Sequence, residues 1–332
     1  MTLRPSPISC TIDLDKDGVH HGHLRLPYSH DESAWGAIMI PITVMKNGTG
    51  PTALLTGGNH GDEYEGPVSL FKLTNDLSLD QISGRVIIIP AMNYPAFSEA
   101  KRTSPIDKRN MNRVFPGKVN GTVTEKIADY FQRYLLPISD FVLDIHSGGK
   151  TLDFIPFAAV HVLGDKDQQA KCVGAMKAFC APYSMMLVEI DSMGMYDNAA
   201  EDMGKIFVST ELGGGGSATA KSIAIADRGV RNFLKFSGIL SGDLNLVDSI
   251  NLDMPDDDCF VPSLSSGLCE PCVDLGSHVR KGDVLARVYN IHKTGVAPEI
   301  YYAKRDGLLT QRHFPGLVKM GDCLAIVADV LP

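Results

Sequence analysis

Apolar and polar positions change rhythm twice along this chain. Residues 8–50 alternate apolar and polar, with turn signals at Lys16-Asp17-Gly18 and Lys46-Asn47-Gly48. A period of two with such punctuation predicts strands joined as hairpins. From residue 51 the pattern becomes short unbroken apolar runs separated by helical stretches. The runs at 53–56, 85–90, 141–145 and 206–210 read as strands. The stretches 66–77, 124–136, 167–179 and 218–236 read as helices between them. This alternation predicts an α/β fold with a mixed, mostly parallel sheet covered by helices. In such sheets functional groups gather beyond the carboxyl ends of the strands. His60, Asn93, His146 and Glu211 each fall just after a strand candidate, so a single rim can hold all four.

The second change comes at the polar stretch 253–258, which predicts a linker. Beyond it lie short strands with glycine turns, and the sequence repeats itself. Residues 279–288, VRKGDVLARV, match residues 318–327, VKMGDCLAIV, and each copy follows a Gly-Leu pair and a further glycine. Two equivalent halves predict a small quasi-symmetric β-sandwich or barrel, which resembles the biotinyl/lipoyl carrier domain. In that fold the modified lysine would fall at His292-Lys293-Thr294-Gly295. The Met-Lys-Met of a biotinylation site is missing there, so a structural module is expected rather than a swinging arm. The expected division is therefore an N-terminal β segment (1–50), an α/β unit (51–252) and a C-terminal β domain (253–332).

Composition narrows the partners. With 332 residues, 44% of them hydrophobic, the chain can bury a sizeable core and has length for two domains. A net charge of -8 argues against nucleic acid, which normally needs a basic face. The first residues lack the apolar core of a signal peptide, and apolar stretches such as 35–44 are too short to span a bilayer. These features predict a soluble cytoplasmic protein with no membrane partner. Seven scattered cysteines make no disulfide framework and suit a reducing compartment. Cys269 and Cys272 form a CxxC without the second pair a zinc ribbon needs, in a strand-like context, so a structural role is expected.

The candidate chemistry sits on the predicted rim. Gly57-Gly58-Asn59-His60-Gly61-Asp62-Glu63 follows one strand candidate, and His146-Ser147-Gly148-Gly149 follows another. Alone, His60-x-x-Glu63 also describes a surface turn with an acid at a helix start. A second histidine in a matching context tips the balance toward a His-Glu-His set, which leaves a zinc ion one open coordination position. Asp144 lies two residues before His146 on the same strand face, where a carboxylate can orient the imidazole or simply cap a loop. Glu211 ends another strand and can serve as general base or as a helix-capping acid. The four glycines after it lack the Gly-Lys-Ser/Thr of a phosphate loop. Residues 101–113 are dense in arginine, lysine and asparagine, which suits carboxylate binding and oxyanion stabilisation better than a merely solvated loop, because the segment follows the same rim. His20, His21, His23 and His30 lack an acid or cysteine to complete a set. His161, His278, His292 and His313 read as isolated, structural residues.

Taken together, GGNH60GDE63, N110MN112R113, D144IH146SGG and TE211LGG resemble the succinylglutamate desuccinylase/aspartoacylase family of the zinc carboxypeptidase clan, in order and spacing. The resemblance spans most of residues 52–217. It implies a zinc-carboxypeptidase-like α/β/α sandwich followed by a small β domain. It implies zinc on His60, Glu63 and His146, Glu211 as base and then acid, Asn112 and Arg113 on a substrate carboxylate, and Arg102 on the oxyanion. The implied partner is a small N-acyl amino acid, and a homo-oligomer (dimer or tetramer) is expected. Stretches such as Leu26-Pro27-Tyr28-Ser29 and Ala34-Trp35-Gly36 are similar in particular to members that deacetylate an N-acetylated diamino acid. An acid such as Asp191 or Glu201 would then be needed for the free amine. Members acting on N-succinyl or other N-acyl amino acids are the alternative. A non-catalytic carrier or binding protein, or a zinc-free relative, is the further one. Met193-Gly194-Met195-Tyr196 is the candidate lid.

Overall fold

The structure, a computed structural model, describes residues 5–187 and 193–331. Four parallel strands form its centre, in the order Gly84–Ile89, Thr52–Gly57, Phe141–His146 and Ile206–Glu211. The N-terminal hairpin, Gly18–Pro27 with Ala37–Asn47, extends the sheet antiparallel on one side. On the other side Phe157–His161 pairs antiparallel with Ile206–Glu211, and Tyr183–Leu187 and Ile250–Asp253 follow in parallel.

The central strands read as unbroken apolar runs because both their faces are covered. Ala53, Leu55, Ile88, Leu143 and Val208 pack against helices Glu65–Asp76, Lys166–Phe179 and Ala220–Phe236. Leu54, Ile87, Ile89, Val142 and Phe207 face the opposite layer, built from helix Val123–Tyr130, its continuation Phe131–Leu135, the buried Tyr196 and the inner face of the hairpin. The layered sandwich and the four expected helices are present, with ends shifted by a residue or two. The exception is the helix expected at 124–136, whose regular part closes at Tyr130 and continues as a wider π turn.

The stretch at 253–258 is not an open linker. Ile250–Asp253 is itself a strand, bonded to Tyr183–Leu187 and to Cys323–Val330, so the main sheet runs on into the C-terminal strands. Asp256 then accepts from the Asp258 amide and caps a short turn ending at the buried Cys259. A division at 252/253 therefore cuts across hydrogen-bonded strands.

A separate antiparallel sheet joins Glu299–Tyr302, Val284–Tyr289, Gly267–Pro271 and Leu317–Val318. The sequence repeat explains its core: Val279, Leu285, Ala286 and Val288 are buried beside their repeat partners Val318, Leu324, Ala325 and Val327. The two Gly-Asp turns are equivalent as well. Asp283 accepts from the Arg280 amide and Asp322 from the Lys319 amide, each at 2.8 Å. Cys269 and Cys272 are free thiols here, with no second cysteine pair.

Candidate active site

Strand register assembles the site. Thr56 lies beside Asp144, Asp144 beside Ser209, and His146 beside Glu211. Successive side chains of a strand point to opposite faces, so Asp144, His146, Ser209 and Glu211 share one face. Chain segments about 65 residues apart thus bring an imidazole and a carboxylate to adjacent positions on the rim.

The turn after Thr52–Gly57 brings in the remaining ligand candidates. Gly61 permits the close approach: a Cβ there would lie 2.1 Å from the carbonyl carbon of Ala96. Asp62 accepts from the Lys150 amide at 2.9 Å, which ties this turn to the loop after His146. His60 Nδ1 and Glu63 Oε1 are 2.7 Å apart, and His146 Nδ1 and Glu63 Oε2 are 2.9 Å apart. The outward nitrogens are also held. Nε2 of His146 faces Asp144 at 2.7 Å, and Nε2 of His60 faces the amide oxygen of Asn110 at 3.1 Å. Asp144 in turn accepts from Thr56 and Asn59. Asn110 was not expected as an orienting group, although its place in the Asn-Met-Asn-Arg motif was the available signal.

This donor set fits a divalent cation. His60, Glu63 and His146 are all buried and each offers a ligand atom within 4.8 Å of the others. Each imidazole presents Nδ1 inward while Nε2 meets an oxygen acceptor, the arrangement in which an outer partner fixes the ligating tautomer. The neighbouring carboxylates draw positive charge to this cluster. Burial pushes His146 down, but Asp144 and Glu63 outweigh it and hold it well above the usual histidine range. Burial pushes Glu63 up, yet the two imidazoles pull it far below the usual carboxylate range. Burial lowers His60. The centre is thus an anionic carboxylate between two imidazoles, shielded from water.

Glu211 differs from Glu63. Burial of its carboxyl, followed by repulsion from Glu63, pushes it up to about 8. Its Oε2 is buried and makes no hydrogen bond among the described residues. A carboxyl tuned near neutrality with one oxygen unbonded suits proton transfer.

His60, His146 and Glu211 line a cavity of about 180 Å³ together with Arg102, Asn112 and Arg113. Arg102 is 3.5 Å from Glu63 and 3.3 Å from His60 Nδ1, so it reaches the centre itself. The Asn112 amide oxygen is committed to the Tyr196 amide at 2.9 Å, which leaves its amino group as the donor for a ligand. Arg113 Nη1 donates to the Asn112 carbonyl and lies on the cavity wall. The volume is below the roughly 300–1,000 Å³ usual for drug-sized ligands, which suits a small substrate.

Two expectations need correction. His161 is not an isolated structural residue: it lines this cavity and contacts Glu201 at 2.8 Å and Asp197 at 3.8 Å. Its signal was available, since it ends the apolar run Phe157–His161 much as His146 ends its own strand. The candidate lid is largely pinned. Tyr196 is fully buried, Met195 lines the cavity, and the Gly194 carbonyl accepts from the Phe115 amide, leaving only Met193 projecting. Asp191 lies outside the described residues. His21 and His23 are exposed on the hairpin.

Comparison with known proteins agrees with the geometry. Residues 49–237 match the succinylglutamate desuccinylase/aspartoacylase catalytic domain family. The chain is 57% identical over 330 residues to the N-alpha-acetyl-L-2,4-diaminobutyric acid deacetylase of Halomonas elongata, covering 99% of this chain and 96% of that one. Among solved structures it is similar to the product-bound ectoine utilization protein EutE (DoeB) from Ruegeria pomeroyi. The identity is 62% and the TM-score 0.97, with 98% of this chain and 100% of that chain covered. A succinylglutamate desuccinylase/aspartoacylase from Rhodobacter sphaeroides matches at 35% identity and TM-score 0.93, over 98% of this chain and 100% of that one.

Proposed function

The chain belongs to the succinylglutamate desuccinylase/aspartoacylase family, and from that premise we propose that it is a zinc-dependent amide hydrolase that deacetylates Nα-acetyl-L-2,4-diaminobutyrate in ectoine breakdown. The observation that carries the chemistry is the pairing of His146 with Glu211 across parallel strands, which sets a carboxyl with a buried, unbonded Oε2 beside a three-ligand cluster. The relative from Halomonas elongata supports the substrate.

His60, Glu63 and His146 would hold the zinc ion. Zinc in such an open site supplies Lewis acidity toward a carbonyl and lowers the pKa of water. The chain's own residues do the rest. Glu211 takes the proton from the attacking water and returns it to the departing amine. Arg102 lies where it can offset charge developing on the carbonyl oxygen. Arg113, with the free amino group of Asn112, holds the substrate carboxylate and sets the scissile bond in register. The products are acetate and the free amino acid.

The test is acetate release from Nα-acetyl-L-2,4-diaminobutyrate beside Nα-acetyl-aspartate and N-succinyl-glutamate, with and without a zinc chelator. Chelator-sensitive turnover of the first alone is the expected result. Turnover of another substrate instead would keep the chemistry and replace the substrate. Chelator-insensitive turnover would remove the metal from the reading.

A further inference from the structure

The catalytic cavity has a second polar end that the hydrolysis itself does not use. Glu201 lies in the short helix Tyr196–Glu201, and its side chain is 6% exposed. One carboxylate oxygen meets His161 Nδ1 at 2.8 Å, while the other, Oε1, is buried with no hydrogen-bond partner among the described residues. Asp197, one turn earlier, is also buried and approaches the same imidazole. Both acids line the cavity that contains His60, His146 and Glu211.

Strand geometry locates this end. Phe157 is paired with Glu211, and His161 lies four residues farther along the same strand, on the same face. At about 3.3 Å per residue the two ends are about 13 Å apart along the backbone. Phe157 and Ala159 point into the cavity between them, with Phe207 across on the neighbouring strand. The cavity therefore runs from the metal-ligand cluster and its arginines, past an apolar wall, to a buried carboxylate with an open acceptor. A short aliphatic chain ending in a cation fits this order of groups.

We propose that Glu201, supported by Asp197 and His161, forms an ammonium subsite that selects N-acyl amino acids carrying a free side-chain amine. This rests on the amide-hydrolase reading above and adds what chooses among its substrates. A buried carboxylate oxygen without a donor bears the full cost of losing water, and an ammonium N–H supplies the missing donor. The same oxygen disfavours substrates that carry a second carboxylate at that place, such as N-acyl aspartates and glutamates, through like-charge repulsion with little solvent to screen it.

The experiment compares Nα-acetyl-L-2,4-diaminobutyrate with its neutral isostere Nα-acetyl-L-norvaline on the wild type, E201Q and D197N. The wild type should prefer the amine substrate by about 100-fold in kcat/KM, the scale expected for a buried charge contact. E201Q should erase most of that preference by losing activity on the amine alone, with norvaline turnover changed by less than about 3-fold. D197N should do the same to a smaller extent. No wild-type preference, or an equal loss on both substrates in E201Q, would overturn the subsite. Calorimetric binding of the free amino acids, L-2,4-diaminobutyrate against L-norvaline, gives a readout that needs no turnover. If no acetylated substrate is hydrolysed but the wild type still binds the diamino acid selectively and E201Q does not, the subsite stands and the hydrolase reading falls. Equal binding of the two amino acids removes the subsite.

Discussion

The rim of the main sheet and the repeated C-terminal unit are built on opposite economies. On the rim, buried polar groups crowd together: His60, Glu63, Asp144 and His146 are each less than 7% exposed and interlocked by hydrogen bonds. In the C-terminal unit the buried positions are mostly apolar, many of them pairs repeated by sequence, and the charged residues of its Gly-Asp turns lie toward solvent. Burying charge costs free energy unless every partner is present, so such a cluster persists where it performs chemistry. Burying valine and leucine needs no such partner. One region gathers buried ionisable groups, and the other rests on apolar burial.

If that contrast is right, substitutions on the rim should change turnover with the fold intact, while those in the C-terminal unit should change stability or nothing. The largest effect is expected for Glu211→Gln, which keeps the shape and removes the proton carrier. Its kcat should fall about 10³-fold while zinc content, read by elemental analysis, stays at one per chain. A zinc-loaded variant with near-wild-type kcat would remove Glu211 from the base role. Asp144→Asn comes next, because it changes what His146 Nε2 can donate to. It should lower metal affinity or activity about 10- to 100-fold, seen as a shift in chelator titration. Unchanged chelator sensitivity would reduce Asp144 to a loop cap.

Arg113→Ala should raise KM for carboxylate-bearing substrates about 10- to 100-fold with a smaller change in kcat. The control is the amide analogue of the substrate carboxylate. An equal rise for that analogue would show that Arg113 does not read the carboxylate. In the C-terminal unit, Leu285→Ala should cost about 2–5 kcal/mol in denaturant unfolding, while kcat of the folded fraction holds. Lys293→Ala, at the exposed turn where a carrier domain would be modified, should leave both measurements unchanged. A loss of activity there, together with a mass shift on the peptide containing Lys293, would break the comparison and restore the carrier reading.

Much of this was legible in one dimension. The central strands are covered on both faces and so appear as apolar runs, and helices of twelve to seventeen residues leave a clear period. His60, Glu63, His146 and Glu211 stand in glycine-rich turns at strand ends, a local signal that needs no knowledge of neighbours. The repeat at 279–288 and 318–327 likewise announces its own core, because equivalent residues fill equivalent places.

What remained hidden depends on contacts between distant segments. His161 looked isolated because Asp197 and Glu201 lie 36 and 40 residues away, and only the antiparallel placement of Phe157–His161 turns them toward the catalytic cavity. The lid reading rested on small and flexible residue types and could not foresee that Tyr196 would be buried under Phe115 and Phe131. The polar stretch at 253–258 reads as a linker because the strand that leads into it, Ile250–Asp253, pairs with strands far away in the chain. Local rules of period, turn and ligand type thus determined the elements and the catalytic residues. Strand register, which is a long-range choice, decided which of those residues meet and where the acid end of the cavity lies.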